Sequence, residues 1–251
     1  MDLKEGKRLV IQLAPDFAPV HAANIRALAR SDFWRGAAIY RVHDNFVTQW
    51  GNNETEKPWP EGVVAAPPAE YTRSLKGLKV TPLGYPDQFA PGAGFVRGWP
   101  VAYSTKGDWV NVAHCYGTVG AGRGLTDTGA GGELYAVIGH GPRALDRNIA
   151  VVGRVIEGIE HLSGLPRGTE ALGRYKERSS DVPITTIRLA SAMPDGERPV
   201  FEYLDEGSKA FADYVKVKAN RKDDFYIRSA GGVDLCGVGV PVRRKPSGER
   251  G

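Results

Sequence analysis

The chain has 251 residues, of which 41% are hydrophobic, 25% charged and 9% aromatic, and its formal net charge at pH 7 is +4. This composition supplies a sizeable core and excludes disordered, collagen-like and coiled-coil chains, and the small positive excess gives no ground for a nucleic-acid-binding role. No stretch approaches the roughly 18 apolar residues of a membrane-spanning helix, so no membrane insertion is expected. The 32 glycines and 17 prolines indicate a turn-rich, mainly β fold.

In Arg8-Leu9-Val10-Ile11-Gln12-Leu13 the apolar residues Leu9, Ile11 and Leu13 share one face, which predicts a strand. Pro19 suits a first helical turn, and residues 20–30 are alanine-rich with Ile25 and Leu28 on one side, which predicts a helix. Residues 37–42 and 46–50 read as two strands joined by a tight turn at His43-Asp44-Asn45. From residue 51 to 114 the pattern dissolves into Pro, Gly, Trp and charged residues, which predicts a long functional loop or insertion. Strands are expected again at 133–138, at 149–155 running into an amphipathic turn over 156–162, and at 183–190. Ser208 is placed to cap a helix reaching about residue 218, with Phe211, Tyr214 and Val215 at i, i+3 and i+4. Residues 231–242 read as irregular, and Arg243-Arg244-Lys245 as a solvated basic tail.

Most candidate chemistry has a structural explanation. The run Gly120-Ala121-Gly122-Arg123-Gly124 lacks the spacing of a phosphate-binding loop and reads as a turn. Asp127-Thr128-Gly129-Ala130 matches the DTGA of aspartic proteases but occurs once and follows no apolar strand, so that chemistry would require a homodimer. The five histidines, His21, His43, His114, His140 and His161, have no metal-ligand spacing, and no metal or cofactor is expected. His114 and Cys115 are adjacent but would point to opposite faces of a strand. Cys115 and Cys236 do not form a disulfide framework, although one bond between them is compatible with the sequence.

The predicted hairpin stands apart. Arg41 lies among apolar neighbours, with Phe46 and Gln49 following on the partner strand. One reading is an arginine paired with a carboxylate at a rim; the other is a guanidinium aimed at an apolar pocket containing a ring and an amide. The segment Tyr40-Arg41-Val42-His43-Asp44-Asn45-Phe46-Val47-Thr48-Gln49-Trp50-Gly51 resembles the FHRVIxxFMxQGG signature of cyclophilins, the peptidyl-prolyl cis-trans isomerases. Pro19 with Asn24, Ala27 and Leu28 is similar to the family's first helix, and Gly117-Thr118-Val119 to its GxxSMA strand. Glu133-Leu134-Tyr135 is similar to its SQFFI strand, and the block from Leu145 to Val155 to its LDxxxxVFGxV segment.

The resemblance implies a closed eight-stranded antiparallel barrel capped by two helices, the second starting near Ile156, over residues 1–194 with an insertion at about 52–113. An extension at 195–251, containing the third helix, would pack on the barrel. It further implies isomerase activity assisting protein folding, with Arg41 catalytic, Gln49 fixing the substrate carbonyl or orienting Arg41, and Phe46, Val47, Tyr135, Leu145 and Ile149 holding the proline ring. The partners implied are proline-containing segments of unfolded or partly folded proteins, and cyclosporin-like ligands weakly. Several residues depart from the pattern: Val47 replaces Met, Trp50 a glycine, Glu133 a glutamine, Ala144 a tryptophan and Ile149 a histidine. The last two changes would weaken binding, and Trp50 would crowd the pocket floor. A catalytically weak or silent proline-binding module is therefore the alternative, and a dimeric aspartic protease built on Asp127 a distant third. The first ten residues are charged at Asp2, Lys4, Glu5, Lys7 and Arg8 and form no export signal. This implies a cytoplasmic protein if the chain starts there, whereas the resemblance favours the periplasm.

Overall fold

The computed structural model describes residues 1–52 and 57–245. In chain order its strands and helices are β1 (Asp2–Leu3), β2 (Val10–Leu13), α1 (Pro19–Arg30), β3 (Ala38–Val42), β4 (Val47–Gly51), β5 (Thr81–Pro82), β6 (Gly92–Val96), β7 (Trp99–Ser104), β8 (Trp109–Val112), β9 (Thr118–Ala121), β10 (Leu134–Val137), β11 (Val151–Glu157), α2 (Glu160–Ser163), β12 (Val182–Thr186), β13 (Phe201–Tyr203), α3 (Lys209–Asn220) and β14 (Val242–Arg244). Contacts divide the chain into two compact units, one of residues 1–72 and 114–194, the other of 73–113 and 195–251. Among the described residues, no helix is long and apolar enough to cross a membrane. Cys115 and Cys236 are both disulfide-bonded.

The first unit is an eight-stranded sheet in the order β1-β12-β3-β4-β10-β9-β11-β2, antiparallel throughout. It curls around an apolar interior containing Ile39, Val42, Trp50, Val119, Leu134, Ala136 and Val152. The expected closed barrel overstates this. The ends meet through a short stitch, the Asp2–Arg8 bridge and the Leu9 N–H to Met1 carbonyl bond of 2.8 Å, rather than through a full β1–β2 ladder.

Alternation along the strands gives this sheet two apolar faces. In β10, Leu134 and Ala136 enter the main core, while Tyr135 and Val137 join a separate cluster with Val47. The β10–β4 register pairs Leu134 with Trp50 and Ala136 with Thr48 on the inner side, and Tyr135 with Gln49 and Val137 with Val47 on the outer side.

Helix α1 starts at Pro19 as expected and buries His21, Ala22, Asn24, Ile25 and Leu28. Its first N–H groups need external partners, and the Glu70 carboxylate accepts from Val20 N at 2.9 Å and His21 N at 3.0 Å. The second helix is shorter and later than expected. Ile156 still belongs to β11, and α2 is a single turn at Glu160–Ser163. Gly158 between them has φ +86°, and a Cβ there would lie 2.1 Å from the Arg8 carbonyl oxygen, so the chain turns there before helix can form.

In the second unit the stretch read as a loop carries its own antiparallel sheet, ordered β5-β6-β7-β8. Residues 73–113 and 195–251, treated separately in the sequence reading, come together here. Phe95 of β6 and Phe211 of α3 meet edge to face with centroids 4.9 Å apart, and α3 also buries Val215 and Ala219. The Ser208 cap forms as expected, its Oγ accepting from Phe211 N at 3.1 Å. The basic run at 243–245 is not wholly a tail. Arg243 and Arg244 lie in β14, paired with β13; Arg243 Nε donates to Glu202 Oε1 at 2.5 Å and Arg244 covers the Phe201 ring.

Candidate functional site

The β3–β4 hairpin carries the first half of the site. Ile39 pairs with Trp50, but the next pair is Arg41 with Gln49, so Tyr40 is a surplus residue, a β-bulge. In a regular strand Tyr40 and Arg41 would point to opposite faces; the bulge lets both reach one side chain. Arg41 Nη1 donates to Gln49 Oε1 at 2.8 Å, and Gln49 Nε2 donates to the Tyr40 hydroxyl oxygen at 2.5 Å. Tyr40 in turn donates to Glu133 Oε2 at 2.7 Å, and Glu133 Oε1 accepts from Asn52 N at 2.9 Å. The Gln49 amide therefore has one orientation. Burial, then the Glu133 charge, pushes the Tyr40 phenol well above its ordinary pKa, so it stays a donor.

Arg41 is held from a second side. Its Nε donates to the Leu172 carbonyl at 2.6 Å, at a residue with φ +60°. Nη2 has a 3.5 Å contact to His43 Nδ1. Burial lowers the Arg41 pKa, yet a guanidinium remains charged in proteins. Of its five N–H groups these contacts use one on each nitrogen, leaving donors on both terminal nitrogens. The guanidinium carbon lies 5.9 Å from the Phe46 ring centroid.

The second half is apolar. Val47, Tyr135 and Val137 form a buried cluster on the outer face, and Phe46, Leu145 and Ile149 pack against it half-buried. All five residues expected to hold a proline ring are thus together, and Phe46 links them to Arg41 and Gln49. The His43 ring meets Phe46 at 5.3 Å and 66°. Trp50 does not crowd this floor: strand alternation turns it into the main core, where it is fully buried. Ala144 is exposed and raises no wall.

Beside Gln49 opens a cleft of about 1010 Å³ lined by Tyr40, Gln49, Glu133, Gly122, Arg123 and Arg174, among others. Asp127 also lines it, but its carboxylate accepts from Gly124 N at 3.0 Å and Gly129 N at 2.9 Å. It shapes a turn, which removes the basis for the protease reading. His21 is likewise structural, its Nδ1 lying 2.6 Å from Glu70 Oε2. Among the described residues, no group of three or more His, Cys, Asp or Glu side chains is arranged to hold a metal. Sequence reasoning missed Tyr40, Leu172 and the acceptor role of Glu133. Glu133 was visible as a departure from the pattern, whereas a backbone carbonyl distant in sequence leaves no signal.

Residues 1–192 match the family described as "Cyclophilin type peptidyl-prolyl cis-trans isomerase/CLD". The chain is 27% identical over 176 residues to a "Probable peptidyl-prolyl cis-trans isomerase" of Brucella suis biovar 1 (strain 1330), covering 68% of this chain and 72% of that one. A similarly described protein of Brucella abortus (strain 2308) is 26% identical over the same shares. The fold is similar to the crystal structure of cyclophilin AquaCyp293 from Hirschia baltica, with a TM-score of 0.68 and 23% identity, over 90% of this chain and 86% of that one.

Proposed function

The chain belongs to the cyclophilin-type peptidyl-prolyl cis-trans isomerases, and we propose that it isomerises X–Pro bonds in unfolded or partly folded polypeptides through Arg41, with no covalent step. The observation that carries this reading is Arg41 itself, fixed by Gln49 and the Leu172 carbonyl at the edge of the apolar cluster.

Rotation about an X–Pro bond gives up amide resonance, with a barrier of about 18–20 kcal/mol. As the bond twists, the proline nitrogen becomes pyramidal and gains a lone pair. A donor fixed where that lone pair appears bonds more strongly to the twisted state than to either planar isomer, and so lowers the barrier. In this reading Phe46, Val47, Tyr135, Leu145 and Ile149 hold the ring, and a remaining N–H of Arg41 meets the nitrogen. Gln49 keeps the guanidinium in place, and the adjoining cleft receives the residues flanking the proline.

The test is an X–Pro exchange assay comparing wild type and Arg41→Ala at equal folded concentration. Wild type should accelerate exchange, and the variant should lose about a hundredfold in kcat/KM. A second reading, a catalytically weak or silent proline-binding module, predicts peptide binding by the wild type with little or no acceleration. For the compartment we propose the periplasm. Both cysteines are disulfide-bonded, and disulfides persist in oxidising compartments. Fractionation of the native host, with the protein found in the cytoplasm, would overturn this.

A further inference from the structure

Behind the pocket floor lies a buried polar chain for which the isomerisation step itself has no use. Arg143 Nε donates to Asp146 Oδ2 at 2.7 Å. Asp146 Oδ1 accepts from the His114 backbone N–H and lies 2.9 Å from His114 Nδ1, and His114 Nε2 lies 2.9 Å from the Tyr135 hydroxyl oxygen. Arg143, Asp146, His114 and Tyr135 are all buried. Burial would raise the Asp146 carboxyl, but the bonds from His114 and the Arg143 charge outweigh it and hold it below the usual range. Burial, reinforced by the Asp146 charge, keeps the Tyr135 phenol protonated. Because a carboxylate can only accept, His114 Nδ1–H donates to Asp146, and the 2.9 Å contact between His114 Nε2 and the Tyr135 hydroxyl completes the chain.

Both ends of this chain reach the proposed pocket. Tyr135 is its floor. Asp146 directly follows Leu145, a wall residue, and its own segment is tied down by Asp146 N to the Arg143 carbonyl at 3.1 Å and Asn148 N to the Leu145 carbonyl at 2.9 Å. The sheet is also shaped around the hydroxyl. Gly120 is the β9 partner of Tyr135, and a Cβ there would lie 2.3 Å from both the hydroxyl oxygen and the ring carbon bearing it. Swinging the Tyr135 ring out of place would leave a buried hydroxyl and a buried imidazole nitrogen unpaired, each a costly loss.

We propose that His114 and Asp146 are positioning residues of this pocket, fixing its floor through the Tyr135 hydroxyl and its wall through the segment bearing Leu145, so that the site is preorganised for the proline ring. The catalytic consequence rests on the isomerase reading; the mechanical one does not.

The experiment combines ring dynamics with a double-mutant cycle. Tyr135→Phe keeps the ring and removes only the hydroxyl. NMR of ring-labelled protein should show faster flipping at position 135, and kcat/KM of the folded protein should fall about three- to tenfold, the scale of one buried hydrogen bond. His114→Gln should cause a similar fall in the wild-type background and little further loss in the Tyr135→Phe background, because its effect passes through that hydroxyl. Unchanged ring flipping with kcat/KM within about twofold in Tyr135→Phe, or losses that multiply across the cycle, would overturn the proposal. If His114→Gln does not fold, Tyr135→Phe alone decides by the same two readouts. A wild type without isomerase activity overturns the isomerase reading, while the comparison of ring flipping still decides the positioning role.

Discussion

Tyr40 and Arg41, adjacent in sequence, hold opposite ends of the same Gln49 amide, Arg41 at its oxygen and Tyr40 at its nitrogen. The guanidinium is therefore oriented by a side chain whose own orientation is set by its neighbour. Tyr40→Phe removes the acceptor for Gln49 Nε2 and the donor to Glu133. Its expected effect is a three- to tenfold loss of kcat/KM at about 1 kcal/mol of stability. Steady-state exchange kinetics with urea denaturation check both; unaltered kinetics would mean that Arg41 needs no such support.

Arg41→Lys should not rescue Arg41→Ala. A lysine ammonium is a compact point charge and cannot span the Leu172 carbonyl and the Gln49 oxygen while still presenting a donor to substrate. The expected kcat/KM lies within about tenfold of the alanine variant. Recovery to near wild-type rate would show that charge alone suffices.

Trp50 lies on the inner face, and its Nε1 has no hydrogen-bond partner among the described residues, so Trp50→Phe sacrifices packing and no polar contact. Stability should fall by about 1–3 kcal/mol, while kcat/KM of the folded protein stays within about twofold. Thermal melts and exchange assays check the pair of outcomes; a large kinetic loss at unchanged stability would place the indole in the pocket after all.

Asp146 makes folding sensitive to acid. Its folded-state pKa lies below the ordinary value, which is about 3.9 in unfolded chains. The stabilisation is therefore complete above that value and is lost as the pH falls through the folded-state pKa. Urea midpoints should decline below about pH 4, and Asp146→Asn should be less stable at neutral pH with a flatter decline in acid. Equal slopes for the two proteins between about pH 2 and 6 would assign the acid sensitivity to other carboxylates.

Gly120→Ala introduces a Cβ into the space of the Tyr135 hydroxyl. The ring must move, so both stability and kcat/KM should drop. Because the ring carbon bearing the hydroxyl lies as close as the oxygen, Tyr135→Phe in the same chain should restore little of either, and full recovery would mean that the hydroxyl alone carries the clash.

Much of the site was legible because its residues sit in elements with a clear period. Leu134 to Val137 alternate between two faces, and α1 opens at Pro19 as its sequence indicates. What escaped the sequence reading has physical reasons. A bulge adds one residue to a ladder without any marker at Tyr40. The apolar residues Val155, Ile156, Ile159 and Leu162 suit a helix, but Gly158 is committed to a turn at positive φ. The sheet of residues 81–112 has no simple alternation, because β6 is buried on both faces from Ala93 to Val96. Its β6–β7 turn is Arg97-Gly98, both at positive φ, a two-residue hairpin turn whose first position is an arginine, where asparagine or aspartate would have drawn notice.

The bulge at Tyr40 also makes the hairpin sensitive to length in a way no scan of substitutions would reveal. Removing one residue from β3 before Arg41 would restore a plain ladder and leave Gln49 held at one end only. Adding one and restoring plain alternation would keep Arg41 outward but turn Tyr40 inward among Ile39, Val42 and Trp50, taking its hydroxyl away from Gln49 and Glu133. The outer face is thus encoded in how many residues the strand contains as well as in their kinds, and single-codon insertions or deletions between residues 38 and 42 are the changes this hairpin would tolerate least.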